Sequence, residues 1–98
     1  MATTTPIERA ITTALADSRK LRLVYADKQG RGTERVVWPV AVGLLPYAHT
    51  LGAWCELRRD FRHFRLDRIA EATMLPDPLP RHRRVLLAEL LAQSQQEW

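Results

Sequence analysis

Between Pro6 and Leu15 the apolar positions Ile7, Ile11 and Leu15, joined by Ala10 and Ala14, recur at the three-to-four-residue spacing of one helical face. Thr5-Pro6-Ile7-Glu8 supplies a start: an N-cap threonine, a proline suited to the first helical position, and a glutamate placed to close a capping box. The pattern predicts a helix over residues 6–17 that must lay its stripe on something larger.

After Asp17-Ser18 the period falls to two. Leu21, Leu23 and Tyr25 alternate with Arg22 and Val24, which predicts a half-buried strand, and Asp27 to Gly32 reads as a hairpin loop. Glu34 to Gly43 reads as a second strand. Within it Pro39 has no N–H to give a ladder, so an edge or a bulge is expected there, with a bend of the kind small closed barrels use at their corners. Leu44 to Gly52 has no periodicity and reads as a loop ending in a hairpin. Ala53 to Leu57 follows as a strand with Trp54 on one face and Cys55 and Leu57 on the other, and Arg59-Asp60 as a turn. A fourth strand contains Phe64 and Leu66, and a fifth runs from Ile69 to Leu75. Pro76, Pro78 and Pro80 then stop the last strand and stiffen the chain. The stripe Leu86, Leu87, Leu90 and Leu91, with Trp98 extending it, predicts a helix over 81–96. The expected fold is mainly β: a five-stranded meander over 21–75, flanked by a helix at each end, in one domain spanning 1–98.

Composition narrows the function. A chain of 98 residues buries one core, and 46% hydrophobic with 27% charged residues describes a folded domain rather than a disordered one. No apolar run approaches the roughly 18 residues of a membrane span, and Met1 to Thr5 lacks the regions of a secretion signal, so a cytoplasmic protein without a membrane partner is expected. One cysteine, Cys55, and three scattered histidines give neither a disulfide nor zinc-type spacing, and no cofactor is expected. No serine, histidine and acid are arranged as nucleophile and base, and no phosphate-cradling glycine loop occurs. Glu56 and Asp67, if they face each other, stand among arginines that hold both ionised and leave no general acid. An enzyme is not expected.

Charge points to an anionic partner. Fifteen basic residues against eleven acidic ones give +4, and thirteen of the fifteen are arginine, whose planar fork suits phosphates and stacks on bases. A GC-rich genome would produce the same bias. The densest stretch is Trp54 to Ile69, where Arg58, Arg59, Arg62, Arg65 and Arg68 accompany Trp54, Phe61 and Phe64. Paired antiparallel strands bring such side chains to within about 5 Å of each other, a composition suited to single-stranded nucleic acid or a phosphorylated ligand. Arg65 and Arg68 are the first candidates, Arg35 and Arg58 the next, then Arg62, with Arg59 capping a turn. Arg35 and Arg58 each have a plainer alternative as a solvated strand residue, and for Arg65 and Arg68 the plainer alternative is a structural pair of Arg68 with Asp67 or Glu56. Tyr25 offers a hydroxyl, Trp54 either a base platform or a core ring, and His63 either a stacking donor or an ordinary surface histidine.

The same stretch resembles the WYL domain, a ligand-sensing module of bacterial transcription regulators. Trp54-Cys55-Glu56-Leu57 stands for its Trp-Tyr-Leu-like strand, with Cys55 replacing the central tyrosine, and Phe64-Arg65-Leu66-Asp67-Arg68-Ile69 for its Phe-Arg-Leu-Asp-Arg-Ile-like strand. Upstream, Leu23-Val24-Tyr25 and Arg35-Val36-Val37-Trp38-Pro39-Val40 are similar to its tyrosine strand and its Arg-x-x-x-Pro strand, so the likeness runs from about Ile7 to Leu75. The resemblance implies a small five-stranded Sm-like or SH3-like barrel. It also implies a non-catalytic role in transcriptional or nucleic-acid-defence regulation, with single-stranded DNA or RNA or a nucleotide effector bound on the basic surface. In that family the module usually follows a winged helix-turn-helix. The single helix before Leu21 cannot form one, so the chain either works alone, as a homodimer or beside a partner protein carrying a DNA-binding domain, or is a trimmed product of a longer ancestor. The alternative is a protein-interaction or dimerisation module using the C-terminal helix and a barrel edge.

Overall fold

A computed structural model describes residues 5–44 and 49–96. Helix α1 spans Pro6–Asp17; the Thr5 hydroxyl accepts the Glu8 N–H at 3.1 Å, and Ser18 ends the helix in the left-handed region at φ 53°. The strands are β1 (Arg19–Ala26), β2 (Gly32–Leu44), β3 (His49–Cys55), β4 (Asp60–Arg65) and β5 (Ile69–Pro78), and helix α2 spans Arg83–Gln96. They form one antiparallel sheet in the order β4-β3-β2-β1-β5.

The sheet has a core on each face. On the α1 side, Ile11 and Ala14 pack with Leu21, Leu23, Val37, Leu51, Ala53, Cys55, Phe64 and Ile69. On the α2 side, Leu86 and Leu90 pack with Val40 and Phe61, against half-buried Trp38 and Trp54. A fully buried leucine contributes about 1.5–3 kcal/mol. Of the predicted stripe, Leu86 and Leu90 are buried, Leu87 is half-buried and Leu91 remains 54% exposed, so α2 is held mainly by two residues. Trp98 lies outside the described residues.

Pro39 makes the bulge its missing N–H requires. The β2–β3 register slips between Pro39 and Ala41, and the Val40 carbonyl at the bulge accepts the Arg83 side chain at 3.1 Å, tying α2 to the irregularity.

Five expectations are corrected. Leu66, expected in the fourth strand, lies in a 3₁₀ turn, because β4 ends at Arg65. The sheet is open rather than closed into a barrel: β4 and β5 are its two edges, the chain passes between them through a 3₁₀ turn at Leu66–Arg68, and the Arg65 N–H goes to the Tyr25 hydroxyl at 3.3 Å. The expected loop from Leu44 to Gly52 is strand wherever it is described, because β2 runs to Leu44 and β3 begins at His49. The third strand ends at Cys55; Leu57 sits 65% exposed in a turn over Glu56–Arg59, closed by the Arg59 N–H on the Cys55 carbonyl at 2.8 Å, with Arg59 at φ 53°. Finally, β5 continues through Pro76 to Pro78 instead of stopping, since an edge strand needs donors on one side only.

Candidate anion-binding site

Side chains from four elements border one hollow of about 370 Å³ at the mouth of the α1-side core. Strand pairing explains who meets there. Leu23 pairs with Arg35, Tyr25 with Thr33 and Ala53 with Arg62, and cross-strand partners share a face, so Tyr25, Thr33, Arg35 and Arg62 all stand on the α1 side. Alternation along β4 adds Phe64 to that face and sends Phe61 and His63 to the other. Arg58, from the turn after β3, and Arg68, from the 3₁₀ turn, reach the same hollow from its rim, with Asp27 and Lys28 of the β1–β2 loop opposite.

Several contacts anchor these groups. The Tyr25 ring meets Phe64 edge-on at 5.1 Å and 84°, its hydroxyl accepts the Arg65 N–H, and its carbonyl accepts the Thr33 hydroxyl at 3.0 Å. The loop folds around Asp27, which accepts the N–H groups of Gln29 at 2.9 Å and Arg31 at 2.8 Å, while Gly30 takes φ 80°. The Arg31 N–H, above all, holds the Asp27 carboxyl below its ordinary range.

Arg35 is half-buried at the base. Its Nη1 donates to the Cys55 Sγ at 3.6 Å, and its buried Nε has no hydrogen-bond partner among the described residues.

The nearby carboxylates are engaged elsewhere. Glu56 takes Lys20 and the Trp38 indole N–H, each at 2.7 Å; Glu34 takes Arg22 at 2.6 Å; Asp67 takes Arg65 through two bonds, of 3.1 and 2.8 Å. Among the described residues Arg35, Arg58, Arg62 and Arg68 make no ion pair. Unpaired guanidinium groups around a concave surface are suited to phosphate oxygens, which accept the fork in a charge-assisted, bidentate way.

Of the residues singled out from sequence, Tyr25, Arg35, Arg58, Arg62 and Arg68 meet at this hollow. Arg65 does not: it turns to Asp67, and that bond lowers the Asp67 pKa and raises that of Arg65. Trp54 stands on the α2 face, between Trp38 at 5.7 Å and Phe61 at 5.2 Å, which is the core alternative. His63 borders the hollow, but its ring lies on the α2 face, with Cε1 3.6 Å from where a Cβ on Gly52 would stand. Lys28 and Thr33 escaped the sequence reading. Thr33 carries a faint signal in its β-branched place at the start of β2, whereas the position of Lys28 depends on the course of the loop.

A second cavity, of about 420 Å³, opens on the other face between α2 and the β2–β3 pair, lined by apolar groups including Val42, Leu87, Leu90 and Leu91 and edged by Thr50 and His63. Among the described residues there is no cluster of metal-ligating side chains, and no helix is long and apolar enough to cross a membrane.

Comparison with known proteins agrees with the fold. The family model for the WYL domain matches residues 6–74, which leaves α2 beyond the match. Among solved structures, proteasome accessory factor B/C (PafBC) of Arthrobacter aurescens is similar at 33% identity with a TM-score of 0.70, over 74% of this chain and 11% of that one. The chain thus spans about a tenth of that protein's length. No curated protein matches.

Proposed function

The chain belongs to the WYL domain family, and on that premise we propose that it is a non-catalytic regulatory module of the cytoplasm that senses single-stranded nucleic acid or a nucleotide-like anion through the hollow. Its setting is transcriptional or nucleic-acid-defence regulation. One observation carries the reading: Arg35, Arg58, Arg62 and Arg68 surround a single concavity without an ion pair among the described residues, and the Nε of one of them is buried and unpartnered. The lining supplies donors and positive charge, which bind an anion and orient it. Because PafBC is a far longer chain, we assign the reading of promoter DNA to a partner protein or a further domain.

A salt series on a fluorescently labelled oligonucleotide tests this. With about three phosphates engaged, log affinity falls against log salt with a slope near −2. An affinity that does not respond to salt, or no binding of the oligonucleotide and of nucleotides alike, overturns the proposal.

A second reading, self-association through α2, is favoured by the apolar cavity beside that helix and by Leu91 and Val42, 54% and 40% exposed. Light scattering of the intact chain and of Leu91→Glu decides it: a dimer that the substitution dissociates supports self-association, and a monomer at every concentration removes it.

A further inference from the structure

We infer that the hollow recognises a compact di- or triphosphate group and leaves the nucleobase in solvent, so that its preferred guest is a nucleoside polyphosphate rather than a strand. The inference rests on the reading that this hollow binds an anion at all.

Two observations select the guest. The first concerns rings. Proteins that hold single strands without sequence preference combine a basic groove with aromatic faces on which bases stack. Among the described residues the hollow offers few such faces. Trp54 is on the opposite side of the sheet, Phe64 is 3% exposed, half-buried Tyr25 is edge-on to Phe64 with its hydroxyl engaged, and exposed His63 borders the hollow with its ring toward the α2 face.

The second observation is charge density. Five cationic side chains (Arg35, Arg58, Arg62, Arg68 and Lys28) border the hollow with one carboxylate, Asp27, which already pairs with Arg31 at 3.4 Å. A strand brings its phosphates singly, separated by sugars. A triphosphate presents its charges in one compact group, which is the better complement to a clustered excess of four positive charges.

Isothermal titration of the full chain without divalent cations separates the cases, using tripolyphosphate, ATP, GTP, CTP, UTP, AMP and a labelled oligothymidylate. The expected result is that tripolyphosphate and the four triphosphates bind within about fivefold of one another, a smaller spread than base stacking commonly produces. AMP should bind at least about tenfold more weakly than ATP, and tripolyphosphate should displace the oligonucleotide. Arg62→Ala and Arg68→Ala, with circular dichroism unchanged, should each weaken ATP binding about tenfold. A wider spread among bases, AMP binding as tightly as ATP, or an oligonucleotide that binds but resists excess tripolyphosphate overturns the inference while the sensor reading stands. If neither the oligonucleotide nor any phosphate compound binds, the sensor reading falls with it.

Discussion

Arg35 donates its Nη1 to the Sγ of Cys55 at 3.6 Å across paired strands, while its own Nε is buried without a partner among the described residues. An unsatisfied buried donor costs about 1–3 kcal/mol, more than a weak sulfur acceptor returns. Arg35 therefore sits here against local stability, as residues of binding sites commonly do. Arg35→Met, which keeps the length and removes the orphaned donor, should leave unfolding free energy unchanged or raise it by about 1 kcal/mol in a urea titration. The same variant should weaken anion binding about tenfold. A fall of more than about 1 kcal/mol would show that the arginine is structural.

Arg65 and Arg68 stand three residues apart in the stretch that resembles the family motif, yet only Arg68 reaches the hollow. Alanine at Arg65 should leave affinity within about twofold, whereas alanine at Arg68 or Arg62 should lower it and flatten the salt slope by about 0.7, one phosphate's worth on a single strand. Equal effects at Arg65 and Arg68 would mean that Asp67 releases its partner when ligand arrives.

Why Arg65 and Arg68 part is a matter of local geometry. Period-two alternation finds β1 and the Phe64 part of β4, and Thr5-Pro6-Ile7-Glu8 marks the start of α1 to the residue. What alternation cannot supply is the 3₁₀ turn at Leu66–Arg68, which breaks the period and directs Arg65 and Arg68 to different neighbours. Nor does it show that Glu56 is held by Lys20, thirty-six positions away in sequence, leaving Arg58 and Arg68 without that acid. Trp54 was legible only as far as its face: which face holds a core depends on where α2 returns, and α2 lies after three prolines.

Glu56 sets part of the acid sensitivity of the fold. Hydrogen bonds from Lys20 first and from the Trp38 indole second hold its carboxyl below the ordinary 4.5. With the folded pKa below the unfolded one, its contribution is complete above pH 4.5 and disappears as pH falls through the lower folded value. Glu56→Gln should therefore show a flatter decline of stability with acid in that window than the unaltered protein, read by urea midpoints at each pH. Identical slopes would assign the acid limb to other carboxylates.

Gly52 fixes how closely α2 approaches the sheet. A Cβ there would stand 2.9 Å from Leu90 Cδ2, the far end of a side chain that can swing aside. Gly52→Ala should thus cost only about 1 kcal/mol, the low end of the range for overpacking. The loss should appear first as faster amide exchange around Leu86 and Leu90, with β1 and β5 protected as before. Uniform loss of protection would show that α2 and the sheet unfold as one unit.

The prolines of β5 have an outcome for how this protein behaves in a crowd. An uncovered strand margin is a template on which a second molecule can grow a continuous ribbon, and Pro76 and Pro78 deny such a visitor two of the donors it needs. At the other margin β4 is only six residues long and carries two guanidinium groups, a poor start for polymerisation. Both rims are blunted, so leaving the sheet unclosed does not condemn the protein to aggregate.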